Sequence, residues 1–284
     1  MGKSFEETCF IYYFLKVNQS MLYDLQKGSA QPHVYPKDIK QIKIPIPPTS
    51  IQQKIISECQ RIDTEVGKAK DKISELQEEI NVIVANINGY QKKLGSIAKF
   101  KNGLNYHKSM VGKTIRIVGV ADFKENKSPE WDKVQSIKIK DKVDDSFLLH
   151  KNDLLTVRSN GSRELVGRFM FIDKEPEEQT TFSGFSIRVR VISDDVDNEF
   201  LYYQLSSAYV RERLTTGSNG ANIKSLNQDL LSDLEIQLPP LSEQKSILKK
   251  INEIEKEIAS LKEICEGASE RKKAVLQREL VSSD

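Results

Sequence analysis

The chain has 284 residues, 30% of them charged and 38% hydrophobic, with a net charge of +2. That length admits one large domain or two ordinary ones, and the charge fraction suits extended, solvated helices better than a single close-packed enzyme. No apolar run approaches the roughly 20 residues of a membrane helix, Glu6 and Glu7 argue against a secretory leader, and the near-neutral balance does not announce a nucleic-acid binder; the expected compartment is the cytoplasm.

Residues 1–48 open with Tyr12-Tyr13-Phe14-Leu15 in a helical stretch, pass through a Gly28-Ser29 loop and an alternating strand, and reach Pro47-Pro48. The same order returns later. Tyr202-Tyr203-Gln204-Leu205, Gly217-Ser218 and Pro239-Pro240 repeat it, and Ser50, Gln52 and Ile55 fall on Ser242, Gln244 and Ile247 at the offset that relates the proline pairs. A repeat over this distance is architecture. It predicts a module of helix, Gly-Ser loop, strand, Pro-Pro turn and long helix. The second copy carries a further stretch of chain ahead of its helix, so the first reads as the tail of a domain whose front is missing.

Residues 49–91 read as the first long helix. Ile55, Ile62, Ala69, Leu76, Ile83 and Tyr90 recur every seven residues, and Cys59, Val66, Ile73, Ile80 and Ile87 do so four residues later. Two interleaved series of this kind define a coiled-coil seam. Ser50 is the expected N-cap, with Gln53 completing a capping box. Gly67 is the expected weak point and Gly89 the expected end.

Residues 92–240 read as a β-rich globular domain. Strands are expected around Ile115–Val118, Ile137–Ile139, Asp153–Val157, Phe169–Ile172 and Ile187–Val191, with a helix over Glu199–Leu214. Three stretches carry chemistry suited to DNA. The first lies in a window from Ile80 to Ala121 that contains no acid, where Lys99, Lys101, Asn102, Tyr106, His107 and Lys108 combine basic and aromatic character. The second is a turn with Arg158, Ser159, Asn160 and Arg163, followed by Arg168; arginine suits guanine edges or phosphates and asparagine suits adenine. The third is the small polar loop with Ser218, Asn219 and Asn222, ending at Lys224, whose backbone N–H groups suit phosphate. Each stretch also reads as an ordinary polar loop.

Residues 241–284 read as the second long helix, with Ile247, Ile254, Leu261, Ala268 and Val275 in one series and Ile251, Ile258 and Cys265 in the other. Near Lys272 the register slips to Leu276 and Leu280, and Ser242 is the expected N-cap. The residues expected to pair the helices are Ile55, Ile62, Val66, Ile73, Leu76 and Ile80 with Ile247, Ile251, Ile254, Ile258 and Leu261. An antiparallel pairing is expected, because a whole domain separates the two helices. A helix of about 40 residues spans roughly 60 Å, long enough to hold two readers about one DNA turn, roughly 34 Å, apart. A plain dimerisation stalk is the simpler reading of the same heptads.

Catalytic motifs are missing. Cys9, Cys59 and Cys265 make neither a disulfide framework nor a metal pattern, and His33, His107 and His150 lie in no ligand spacing. There is no phosphate-binding Walker loop. Glu125-Asn126-Lys127 resembles a nuclease fragment without well-placed acidic partners.

Taken together, the chain resembles the DNA-specificity subunit of type I restriction-modification systems. The Pro-Pro-x-Ser-x-Gln turn before a heptad helix, present twice, carries most of the resemblance, with Leu94-Gly95-Ser96-Ile97, Asn152-Asp153-Leu154-Leu155 and the Gly-Ser loops at 28 and 217 in support. The resemblance implies an α+β fold: a β-rich target-recognition domain plus two long helices forming an antiparallel coiled coil. It implies a non-catalytic subunit that reads half of a bipartite site on double-stranded DNA and docks methyltransferase subunits and a restriction/translocase subunit. It implies no cofactor of the chain's own, S-adenosylmethionine, ATP and Mg belonging to those partners. The short first half departs from the family pattern, and self-association of two copies would restore a bipartite reader. The other function class is a coiled-coil adaptor whose globular domain binds protein.

Overall fold

The computed structural model describes residues 4–27, 33–106, 112–123, 127–140, 143–161, 163–216 and 225–281. In chain order its helices are α1 (Phe5–Val17), α2 (Gln19–Tyr23), α3 (Pro36–Ile39), α4 (Thr49–Ala85), α5 (Asn198–Ser206), α6 (Ala208–Thr216), α7 (Gln228–Ser232), α8 (Leu241–Glu266) and α9 (Ala268–Val281). Its strands are β1 (Tyr90–Lys93), β2 (Ala98–Asn102), β3 (Lys113–Val118), β4 (Gln135–Ile139), β5 (Leu154–Val157), β6 (Phe169–Phe171), β7 (Thr180–Phe182), β8 (Ser186–Val191) and β9 (Glu235–Leu238). They fall into two units: Met1–Glu78 with Ile254–Asp284, and Glu79–Glu253.

The first unit is helical. Phe10, Tyr13 and Phe14 of α1 share one core with Ile55, Ile56, Cys59 and Ile62 of α4 and with Ala268, Val275 and Leu276 of α9. Ion pairs show the direction of packing. Glu58 pairs with Arg278 and Glu65 with Arg271, both at 2.7 Å, Asp63 meets Lys272, and Lys54 meets Glu279 at 2.7 Å. Partner numbers fall along α9 as they rise along α4, so the two helices run antiparallel. Lys272 and Glu279 are buried while their partners reach solvent, so the charges chiefly select the register and the apolar seam carries the stability.

The seam differs from strict heptads. Ile55, Cys59, Ile62, Ala69, Leu76 and Ile80 are buried, but Val84 is buried in place of Ile83, and Tyr90 is 76% exposed in β1. An uncoiled α-helix drifts about 20° per heptad, so after four heptads the next residue along takes over the seam. Val66 and Ile73 are half-buried. On α8, Ile251 and Ile258 are buried, Ile247, Ile254 and Leu261 are half-buried, and Leu248 takes the inward position beside Ile247. Gly67 does not interrupt α4, whereas Gly267 divides the expected second helix into α8 and α9, five residues before the slip expected at Lys272. Helical bonds persist across that break, from Gly267 N–H to the Glu263 carbonyl at 2.9 Å and from Arg271 N–H to the Gly267 carbonyl at 3.1 Å. The first helix also ends at Ala85, short of 91.

Ser50 and Ser242 lie inside their helices, which begin at Thr49 and Leu241. Pro48 and Pro240 hold the cap position; their carbonyls accept the Gln52 and Gln244 N–H groups, each at 3.1 Å. The repeated glutamine explains the motif. Gln52 Nε2 donates to the Pro47 carbonyl and Gln244 Nε2 to the Pro239 carbonyl, each at 2.8 Å. The tyrosine pairs repeat as well: Tyr12 and Tyr13 lie 5.1 Å apart at 69°, Tyr202 and Tyr203 5.2 Å apart at 71°. One predicted element is missing from the first copy. No strand forms over residues 42–48. In the second copy β9 exists because β1 pairs with it, Tyr90 opposite Leu238; among the described residues the first copy has no such ladder.

The second unit is mixed. β2-β8-β5-β6 form an antiparallel sheet, and β4-β3-β7 form a second, with β3 and β7 parallel. Ile115, Ile117, Ile137 and Ile139 make a small core on the second sheet, and Val118, Leu155, Met170, Ile172 and Phe182 lie in a larger one. Alternation on β3 reflects one covered face. Strands β1, β2 and β7 carry too little apolar periodicity to be legible. The expected helix over 199–214 is two helices, because Ser207 takes an extended backbone (φ −63°, ψ 150°).

Candidate nucleic-acid interface

The register of the four-stranded sheet brings the end of β2, the start of β8, the end of β5 and the start of β6 to one edge. Asn102 faces Ile187, Val157 faces Ser186, and Thr156 faces Phe169. The loops that leave this edge are therefore neighbours although they are distant in sequence.

Their backbones are tied together. The Phe185 carbonyl accepts the N–H groups of Arg158 at 2.7 Å and Ser159 at 3.3 Å, and Arg158 returns its carbonyl to the Leu226 N–H at 2.8 Å. Ser159 bridges Ser225, and Leu104 bridges Ser183. Gly184 donates to the Leu104 carbonyl at 2.9 Å. A Cβ at Gly103 would stand 2.0 Å from the Ser183 carbonyl oxygen, so only glycine lets these two loops approach. Asn160 folds its side chain back on the Gly161 N–H at 2.8 Å.

This edge gathers Asn102, Arg158, Ser159 and Asn160, with Arg168 nearby donating to the Phe123 carbonyl at 3.5 Å. Arg163 opens a short 3₁₀ turn, Arg163–Leu165, in the same connection. Other expected contacts stand elsewhere. Lys101 donates to Ser146 Oγ at 2.6 Å and sits 4.1 Å from the centre of the Phe147 ring, so its ammonium is engaged within the domain. Lys99 is exposed on β2 opposite Arg190, toward the other end of the ladder. Tyr106 packs against the Ile115–Ile139 core. His107, Lys108, Ser218, Asn219, Asn222 and Lys224 lie outside the described residues.

Three residues at or beside the edge were not legible. Arg211 on α6 donates to the Glu164 carbonyl, which places a helix read only for its apolar face beside the arginine turn. Arg213 donates to the Tyr209 hydroxyl at 2.8 Å, and Tyr209 is 60% exposed. Phe185 is 59% exposed at the tip between β7 and β8; an isolated aromatic carries no periodic signal.

The opposite end of the domain holds an open depression of about 640 Å³ with Lys127, Lys151, Lys245, Asp173, Asp194 and Glu199 in its lining. There Lys127 pairs with Glu199 at 2.5 Å and lies over the Tyr203 ring at 5.1 Å; Glu125 and Asn126 lie outside the described residues. At that same end, Asp153 is buried and accepts two bonds from Arg190, each at 2.7 Å, and one from the His150 N–H at 2.8 Å. Asn152 before it adopts φ 72°, the left-handed region that asparagine tolerates. The Asn-Asp pair is a turn and an anchor for β5.

The model of the type I restriction modification DNA specificity domain matches residues 2–78 and 88–267. The chain belongs to that family. Among its relatives, the StySPI type I restriction enzyme specificity subunit of Salmonella potsdam is 28% identical over 278 residues, covering 86% of this chain and 58% of that protein. The MjaVIII specificity subunit of Methanocaldococcus jannaschii is 25% identical, covering 94% of this chain and 68% of the relative. The chain thus spans well under the full length of these specificity-domain proteins. The fold is shared with the S subunit of a type I restriction-modification system from M. genitalium (TM-score 0.55, 15% identity, 95% of this chain and 72% of that one). It is shared also with the HsdS subunit from Thermoanaerobacter tengcongensis (TM-score 0.52, 18% identity, 96% and 70%). Among the described residues of this specificity-domain chain, no helix is long and apolar enough to cross a membrane, and no cluster of three potential metal ligands occurs.

Proposed function

We propose that the chain is a non-catalytic sequence reader of a type I restriction-modification complex. Its β-rich domain reads half of a bipartite site on duplex DNA, and its long helices dock the methyltransferase subunits and set the distance between half-sites. A restriction/translocase subunit completes the assembly. S-adenosylmethionine, ATP and Mg act in those partners. The observation that carries this reading is the convergence of the Arg158, Phe185 and Leu104 loops on one sheet edge, in a chain whose relatives are named specificity subunits. Backbone bonds among the loops pre-organise their side chains, and pre-organised polar groups are what base readout needs.

The test is binding of the full chain, co-purified with its methyltransferase, to duplex DNA across a salt series. Affinity should fall as salt rises, and replacing Arg158 and Arg163 by alanine should weaken binding by roughly tenfold or more. Affinity that ignores both salt and these replacements removes the reading. Two copies associate through the helical seams to present two readers; sedimentation of the complex should return two copies of this chain, and a strict one-copy complex refutes that part.

A further inference from the structure

Phe185 stands out at the proposed reading edge. It is a large apolar side chain, 59% exposed, at the centre of a polar loop cluster. A single exposed aromatic is ordinarily unremarkable, but this one is fixed from several sides. Its N–H donates to Ser183 Oγ at 3.3 Å, its carbonyl takes two N–H groups from the Arg158 loop, and Ser186 N–H closes the turn on the Ser183 carbonyl at 2.8 Å. The backbone on both sides is thus held while the ring is left to solvent.

Its neighbour across the turn is Asn105. A Cβ on Gly184 would come within 2.0 Å of Asn105 Oδ1, so the amide lies against the backbone one residue before the ring. Asn105 is exposed. In the major groove an A·T pair presents the adenine N6 and N7 atoms and, beside them, the thymine 5-methyl group. An amide suits the first and an apolar ring the second. We propose that Asn105 and Phe185 form one recognition pair for an A·T base pair, Asn105 bonding adenine N6 and N7 and the Phe185 ring covering the thymine methyl. Gly184 is the residue that lets the Asn105 amide lie against the backbone that carries Phe185. This pairing rests on the reading of the chain as a DNA-sequence reader and names two residues that fix one position of its target.

The experiment uses the full chain in complex with its methyltransferase and a pool of duplexes with a randomised central segment. Wild type should enrich a motif, and in the enriched duplex one thymine should be sensitive to replacement by deoxyuridine, which removes only the methyl. The expected loss is about fourfold. In Phe185→Ala that thymine and its deoxyuridine counterpart should bind equally, while the other positions of the motif keep their preferences; Phe185→Leu should keep a measurable methyl preference. Asn105→Ala should lose discrimination at the same pair by roughly tenfold. Thermal unfolding followed by Trp131 fluorescence confirms that each variant is folded. If Phe185→Ala enriches the same motif with the same deoxyuridine sensitivity, the proposal is overturned. A Phe185 effect that is blind to the methyl and follows a base step instead marks a wedge, and overturns it too. A wild-type complex that enriches no motif overturns sequence reading itself, a failure distinguishable from loss of one position.

Discussion

Gln244 has no exposed surface, and its amide is fully engaged. Nε2 donates to the carbonyls of Asp195 and Pro239, and Oε1 accepts the Asp197 N–H, each at 2.8 Å. That last bond holds the cap residue of α5, whose carboxylate in turn accepts from Glu199 and Phe200. Removing the amide leaves buried groups unsatisfied, each at about 1–3 kcal/mol. Gln244→Ala should therefore destabilise the β-rich domain by roughly 2–4 kcal/mol in urea titrations followed by Trp131 fluorescence. Gln52→Ala, which loses the Pro47 bond, should cost about 1–3 kcal/mol, read by circular dichroism. The repeat marks both glutamines by position but not by role. Propensity points to Ser50 and Ser242 as caps, and a bond from a side chain to the carbonyl five residues back has no composition signal. Cys59 gives a second test at this scale. It is buried, and burial pushes its thiol up to about 11. At pH 8 iodoacetamide should label the half-buried Cys9 and Cys265 and spare Cys59 until urea opens the helical unit; early labelling of Cys59 would contradict the core described.

At the scale of elements, the α4–α9 pair depends on carboxylates that must stay charged. Burial alone would raise the Asp63 carboxyl, but hydrogen bonds from Lys272 and Tyr13 and the charges of Lys272 and Lys16 hold it below the usual carboxylate range. A hydrogen bond from Arg271 does the same for Glu65, and bonds from Lys54 and Arg278 for Glu279. A group held low in the folded state stabilises it above the unfolded value, about 4. That contribution is lost as pH falls through the folded value. The melting temperature of the helical signal at 222 nm should thus hold steady from pH 7 to 5 and drop toward pH 3, with a shallower drop in Asp63→Asn. An unchanged profile in that variant would deny Asp63 its part. An antiparallel helix pair was legible from the heptads and from the domain between them; the core that Ile55, Cys59 and Ile62 form is with Ala268, Val275 and Leu276 of α9, past the Ile247–Leu261 stretch expected to carry the pairing. The division at Gly267 was legible only as a slip of register, because propensity alone does not say whether glycine breaks a helix: Gly67 does not. The strand expected at 42–48 fails for a different reason. Alternation licenses a strand, but only a partner makes one.

For the whole molecule, the repeat was the most legible feature and the sheet order the least. That Arg158, Phe185 and Leu104 meet depends on strand register, which is set by pairing between strands far apart in sequence, Ala98 opposite Val191 and Val157 opposite Ser186, and leaves no local trace. The two units should also respond separately to acid. Both units hold carboxylates below their usual range, Asp63, Glu65 and Glu279 in the helical one and Glu175, through the Lys151 N–H and His150, in the β-rich one, so each should lose stability toward pH 3, read separately by the helical signal and by Trp131 fluorescence. Coincident transitions would show that the units unfold together.

The ladder between β1 and β9 sets the strand that leaves α4 against the strand that enters α8. A domain whose two chain ends emerge side by side is, in effect, a detachable cartridge: its frame needs only two short, adjacent attachment points. One flank of each copy already carries the same proline-proline-glutamine wording, so exchange of one cartridge for another at those seams would leave the helices undisturbed while supplying a new set of edge loops.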